Sequence, residues 1–152
     1  MNLSNISSNP KMPKHIALII DGNGRWATNK SMPRMLGHRA GIEAVKSTIE
    51  NSEKIGIKEL IFFCFSTENW NRPKPEVEGL FDLFREFLKQ DIDTYLDKNI
   101  KFKLCGERTR IPQDLIKKVE EIEEKTKSCN KMTVCLCINY GGRDDIVQAV
   151  YK

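Results

Sequence analysis

His15-Ile16-Ala17-Leu18-Ile19-Ile20-Asp21-Gly22-Asn23-Gly24-Arg25-Trp26 runs from six mostly apolar residues into an acidic residue, two glycines and a cation. A short, nearly continuous apolar run like residues 15–20 reads as a strand buried on both faces. Residues 21–26 lie at its carboxyl end. Glycines let main-chain N–H groups come close to phosphate oxygens, because no Cβ stands in the way. A carboxylate beside them can hold Mg²⁺, a hard cation that shares its shell between one or two carboxylates and substrate phosphates. The plain alternative is a tight turn whose Asp and Asn are ordinary turn formers. These residues alone leave that choice even.

Outward from this stretch, residues 60–65, 100–105 and 132–139 are three more strand-like runs. Ile42, Val45 and Ile49 mark a helix ending near Gly56, a fitting C-terminal cap. Leu80, Leu83, Phe84, Phe87 and Leu88 form a helical stripe, and Pro112 opens a third helix through Leu115, Val119 and Ile122. A fourth begins near Asp144. Strand and helix alternate four times, which predicts an α/β fold, a mostly parallel sheet with helices on both faces. Sites in such folds lie outside the carboxyl ends of the strands. Asp21, then residues 66–70, 106–108 and 139–143, fall there and are expected to frame one cleft.

With 152 residues, 39% hydrophobic and 30% charged, the chain reads as one soluble domain. Its net charge of +4 suits an anionic small molecule but is too scattered to indicate nucleic acid. Nothing apolar approaches the roughly 20 residues that span a bilayer. Residues 1–12 are expected to be a disordered tail without a signal peptide, and 13–152 a single domain. Five cysteines without a secretory signal predict reduced, cytoplasmic thiols used as small hydrophobes. Cys135 and Cys137 share a strand face, but their spacing is wrong for a zinc knuckle, and packing is the better reading.

Gly22 to Ala27 also satisfies a relaxed dinucleotide fingerprint. Its context argues against that use. Lys30-Ser31-Met32-Pro33 interrupts any immediate helix, and no acidic residue ends the second strand at the required distance of about 20 residues. Arg34, Gly37, His38 and Arg39, read as preceding the first long helix, supply cations for phosphate; alone they would be a solvated basic face. Ser66-Thr67-Glu68-Asn69-Trp70-Asn71-Arg72-Pro73, with Glu76 beyond, is harder to read as a mere connection, although a loop Trp can plug a core.

Taken together, residues 15–26, 34–41, 65–76 and 139–146 closely resemble the cis-prenyltransferases, the undecaprenyl diphosphate synthase family. The resemblance runs in order from about His15 to the last residue, and Asp-Gly-Asn-Gly-Arg-Trp and Ser-Thr-Glu-Asn-Trp-x-Arg-Pro are highly specific motifs. It implies condensation of isopentenyl diphosphate with an allylic, farnesyl-type diphosphate to give a cis-polyprenyl diphosphate, with Mg²⁺ as cofactor. It further implies a cytoplasmic homodimer that touches membranes peripherally through its product. The Asp-Asp-x-x-Asp motif of trans-type enzymes is not met, since Ile146-Val147-Gln148 follows Asp144-Asp145.

By position, the resemblance makes Asp21 the metal-associated catalytic carboxylate. Gly22, Asn23, Gly24 and Arg25 cradle the allylic diphosphate, and Trp26, Arg34 and His38 line that site. Ser66, Thr67 and Glu68 border the reacting region. Asn69 assists proton removal, with leaving-group oxygen or water as alternative acceptors, and Trp70 and Arg72 complete the pocket. Family members continue into an Arg-x-Ser-Gly-Glu-x-Arg segment that holds isopentenyl diphosphate. These 152 residues do not contain it. The chain is therefore expected to be the first part of such an enzyme, incomplete in its sheet and inactive alone. A non-catalytic diphosphate-binding or partner-subunit module is the alternative; a nucleotide-binding regulatory domain would need a base pocket that the sequence does not offer.

Overall fold

Among the described residues, four parallel strands in the order β1-β2-β4-β3 carry the fold. They are β1 (His15–Ile19), β2 (Glu59–Ser66), β3 (Ile100–Cys105) and β4 (Met132–Tyr140), each within about a residue of its apolar run. The computed structural model describes residues 9–89 and 92–151. Within these residues the helices are α1 (Asn23–Thr28), α2 (Arg34–Lys54), α3 (Lys74–Lys89), α4 (Ile92–Asp97), α5 (Gln113–Lys125) and α6 (Gly142–Tyr151). A 3₁₀ turn, Thr67–Asn71, leads from β2 toward α3.

Because side chains alternate along a strand, the register sorts them into two rows. Leu18, Phe62, Leu136 and Leu104 lie in line on one face. Onto it pack Val45 and Ile49 of α2, and Val77, Phe81, Phe87 and Leu88 of α3, all buried. On the other face Ile19, Phe63, Cys137 and Cys105 are aligned. There α6 begins, where the Tyr140 hydroxyl reaches Asp145 at 3.2 Å and the Tyr140 ring meets Phe63 edge-on.

Only one row of β1, Ile16 and Leu18, is even partly buried, which corrects the expectation of a strand covered on both faces. His15, Ala17 and Ile19 are exposed, Ile19 at 79%. β1 is an edge strand with helices on one side only, so its second row faces solvent. The opposite edge is closed. The Phe102 N–H donates to Thr126 Oγ1 at 3.1 Å and the Leu104 N–H to Glu123 Oε1 at 2.9 Å. These groups at and just beyond the end of α5 satisfy edge amides that would otherwise template pairing with another chain.

Two boundaries differ from the sequence reading. Helix α2 starts at Arg34, directly after Pro33, so Arg34, Gly37, His38 and Arg39 lie within its first turns rather than before it. The apolar stripe starts only at Ile42, which makes the helix read late. And the supposed loop after Asp21 is itself helical: Gly22, at φ +93°, caps α1, and the Trp26 N–H donates to Gly22 O at 2.9 Å. A six-residue helix is too short to show a period.

Of the expected tail, residues 1–8 lie outside the described residues, while Met12 packs against the core. No helix among the described residues is long and apolar enough to cross a membrane.

Candidate active site

Asp21 follows β1, and its Oδ1 accepts the Gly22 N–H at 2.6 Å. Glycine is required at 22 by the positive φ. The chain then enters α1, whose close seat on α2 depends on absent side chains. A Cβ on Gly37 would lie 2.0 Å from Asn23 O, and one on Gly24 would lie 2.7 Å from the Arg34 guanidinium carbon. Arg34 therefore lies across Gly24. Asn23 Nδ2 donates to Ile20 O at 3.3 Å, tying the start of α1 to the strand end.

At the centre stands a residue the resemblance does not assign, Glu76 on α3. It accepts from Arg34 Nε at 3.2 Å and Nη2 at 2.9 Å, and from Arg72 Nη1 at 3.3 Å. His38 Nε2 is 3.4 Å away, buried and without hydrogen-bond geometry. Arg72 also faces Asp21 at 3.7 Å, and Arg25 faces it at 3.8 Å. Asp21, Arg25, Arg34, His38 and Arg72 thus come together as one ionic cluster, three guanidiniums against two carboxylates. Glu76 is 42 residues from Arg34 in sequence, and only its position just past the Arg-Pro motif hinted at a role.

Arg34's hydrogen bonds hold the Glu76 carboxyl below the usual carboxylate range. Burial is the main cause that holds the His38 imidazole below its ordinary 6.5, outweighing the pull of Glu76. Both shifts favour the folded protein above the ordinary value and cease to do so as acid protonates the group. Stability is therefore expected to fall in two steps, below about pH 6.5 as His38 is forced to charge and below about pH 4.5 as Glu76 protonates. Thermal unfolding from pH 8 to 3.5 checks this. His38→Gln should flatten the first step; an unchanged slope between pH 7 and 5 would assign it to other groups.

The remaining candidates form a second group. Ser66 caps the 3₁₀ turn, and Asn69 Oδ1 accepts the Ser66 N–H at 3.2 Å in a reciprocal capping box. The Ser66 hydroxyl is the main cause that lowers the Glu68 carboxyl, with Arg143 adding to it. Thr67 sits against Gly141, where a Cβ would come within 2.6 Å of its hydroxyl. Asn69 thus has a structural task that accounts for its carbonyl oxygen.

Trp70 packs against Phe65 and Phe81 at ring separations of 5.0 and 5.4 Å, under the Arg110 guanidinium at 4.4 Å. Its Nε1 donates to Asn139 Oδ1 at 2.7 Å, while Asn139 Nδ2 donates to Glu107 O. Asn139, buried and at φ +53°, is a clamp that sequence reasoning did not single out. Trp26 points outward, 45% exposed, with Lys30 over its ring. Arg108, expected at the cleft, pairs instead with Glu120 and Glu123 on α5.

Beside the ionic cluster opens a cleft between α2, α3 and the sheet. Its walls are apolar, with Ile42, Val45, Leu80, Phe84 and Phe87 among them, and Asn23 and His38 are the polar groups that line it. A charged mouth on an apolar slot fits an amphiphile with an anionic head. The family model of undecaprenyl diphosphate synthase matches residues 19–152.

The chain belongs to this prenyltransferase family.

It is 46% identical to an isoprenyl transferase of Aquifex pyrophilus over 142 residues, covering 93% of this chain and 62% of that one. It is 43% identical to the isoprenyl transferase of Thermotoga maritima, covering 92% and 60%. Lavandulyl diphosphate synthase from Lavandula x intermedia, solved with dimethylallyl diphosphate, superposes at a TM-score of 0.87. The two are 33% identical, over 91% of this chain and 60% of that one. The chain spans about 60% of the length of these relatives. The parallel sheet with helices expected from the element order is thus the family's fold as well as this chain's.

The Asp21 corner fits a metal of one kind. Asp21 is exposed, stands between two guanidiniums, and belongs to no cluster of three metal-ligating side chains among the described residues. One such carboxylate suits Mg²⁺ that keeps most of its shell for water and substrate phosphate. It does not build a protein cage.

Proposed function

We propose that this protein condenses isopentenyl diphosphate with an allylic diphosphate of farnesyl type, giving a cis-polyprenyl diphosphate for lipid-carrier synthesis. The observation that carries this reading is the apolar cleft beside the cluster of Arg25, Arg34 and Arg72. The prenyl tail would lie between α2 and α3, with its diphosphate at the N-terminus of α1.

In the reaction, C1 of the allylic substrate bonds C4 of isopentenyl diphosphate, the allylic diphosphate departs, and a proton leaves C2. Charge on the departing group must be met where it develops, and preorganised cations do this without rearrangement. Glu76 supplies the preorganisation, since it fixes Arg34 and Arg72 while leaving guanidinium N–H groups for phosphate. Mg²⁺, which Asp21 would hold, supplies further neutralisation of the leaving diphosphate when bound. Asn69, hydrogen-bonded to Ser66, would orient the proton acceptor, and the leaving diphosphate is a stronger base than a neutral amide.

The same reading makes the protein a cytoplasmic homodimer that meets membranes through its product. Free thiols at all five cysteines are in keeping with a reducing compartment.

Calorimetric titration with farnesyl diphosphate and Mg²⁺ tests the head site. Charge-assisted hydrogen bonds are worth roughly 1.5–3 kcal/mol, so Arg25→Ala, Arg34→Ala and Arg72→Ala should each weaken binding by about 10- to 100-fold. Arg→Lys should recover part of it, because an ammonium lacks the planar fork. Unchanged affinity in all three alanine variants would return these arginines to a solvated ionic surface. Incorporation of labelled isopentenyl diphosphate into polyprenyl product tests the transfer itself.

A further inference from the structure

A second cluster of chemically capable groups lies on the sheet face away from α2 and α3, and prenyl transfer does not use it. Cys105 ends β3, and Cys137 is its register partner on β4. Cys135 lies two residues earlier on the same face of β4. The Cys135 thiol donates to Cys105 Sγ at 3.1 Å, and all three sulfurs lie within 4.8 Å of one another. Cys135 and Cys137 are buried, while Cys105 keeps contact with solvent. None of the three belongs to the apolar core cluster.

Three sulfurs around one cation at a metal–sulfur distance of about 2.3 Å stand about 3.8–4.0 Å apart. Separations from 3.1 Å to at most 4.8 Å bracket that value, so rotation about χ1 without strand movement brings the three into place. The geometry points to a three-thiolate site for a thiophilic d¹⁰ cation, Zn²⁺ or Cu⁺, formed by Cys105, Cys135 and Cys137.

The donor set decides the class. No carboxylate or imidazole joins the trio among the described residues, and thiolate ligands select soft cations over Mg²⁺ or Ca²⁺. Parallel pairing places the ligands on two adjacent strands of a hydrogen-bonded sheet, so the site is rigid before it fills. The open side at Cys105 gives the ion a way in and leaves a position for water. Binding the cation as thiolates would displace the thiol protons. The pattern escapes spacing rules because 30 residues separate Cys105 from Cys135.

The test titrates the reduced, metal-free chain with Zn²⁺ against a chromophoric chelator, and then maps thiols by alkylation and mass analysis. One equivalent is expected to be withdrawn from the chelator. Cys105, the accessible thiol of the three, should become protected from alkylation only when the metal is bound, and Cys64 and Cys129 should be unaffected by the metal. Cys105→Ser, at the accessible end of the site, should weaken binding at least tenfold, whereas Cys129→Ser should not. Cobalt substitution should add thiolate-to-metal absorption in the near ultraviolet. Alkylation of Cys105 that does not change with metal, or equal retention by the wild-type chain and Cys105→Ser, would overturn the site. The alkylation map is read on the unmodified chain, so it stands even if a serine variant misfolds.

Discussion

In an enzyme of the family's full length that carries these residues, replacing Asp21 with alanine is expected to lower prenyl transfer by on the order of a thousandfold while leaving the fold intact. The two halves of that expectation have separate causes. Asp21 is exposed, its one short hydrogen bond is to its neighbour's N–H, and its guanidinium partners stand at 3.7 and 3.8 Å. Removing such a group changes stability by no more than about 0.5 kcal/mol. It does remove the carboxylate that can share a cation with substrate phosphate at this corner. It also leaves Arg25 and Arg72 without this counter-charge, so metal-free diphosphate affinity should stay level or rise. A fall in kcat with preserved diphosphate binding and an unaltered circular dichroism spectrum is the signature. Near-normal turnover of Asp21→Ala at saturating Mg²⁺ would remove Asp21 from the chemistry.

That Asp21 could be singled out at all reflects what local sequence encodes. The four apolar runs were legible because a central strand has no polar face to show, and β2 and β4 match their runs closely. The same logic misread β1. A strand at the sheet edge can carry exposed Ile19 without any change of residue type, so position in the sheet, not composition, left it half wet. The start of α2 was hidden for a related reason. Arg34 to Arg39 make their contacts through Gly37 and through ion pairs, and periodicity does not register either.

The site was legible as a set of residues but not as a circuit. Glu76 takes Arg72 from four residues away but Arg34 from 42, a separation that no motif spans. Trp70 illustrates the converse. A tryptophan in a polar loop suggests a ligand contact, yet its indole is anchored to Asn139 and stacked in the core, and it does not line the cleft. The four strand ends expected to frame one cleft divide the work. Those of β1 and β2 bring the charged groups, while those of β3 and β4 hold each other through Glu107 and Asn139.

Gly37→Ala is the substitution that asks whether charge alone makes the head site. Position 37 touches no proposed substrate group and carries no charge, and alanine is the better helix former by about 1 kcal/mol. Helix propensity therefore predicts a more stable protein. The structure predicts the opposite, because the new Cβ would lie 2.0 Å from the backbone oxygen of Asn23 and 2.9 Å from Ala27 Cβ. A backbone carbonyl at the start of α1 cannot swing away as a side chain can, so the whole of α1 must lift from α2. Overpacking of this kind costs about 1–3 kcal/mol, which in a domain of this size lowers Tm by roughly 2–4 °C per kcal/mol. As α1 lifts, the Gly22–Arg25 segment moves away from Arg34 and Arg72. Farnesyl diphosphate affinity should then fall by tenfold or more with every charged residue still in place. A variant with wild-type Tm and affinity would show that α1 floats on α2, and that the cradle owes nothing to this contact.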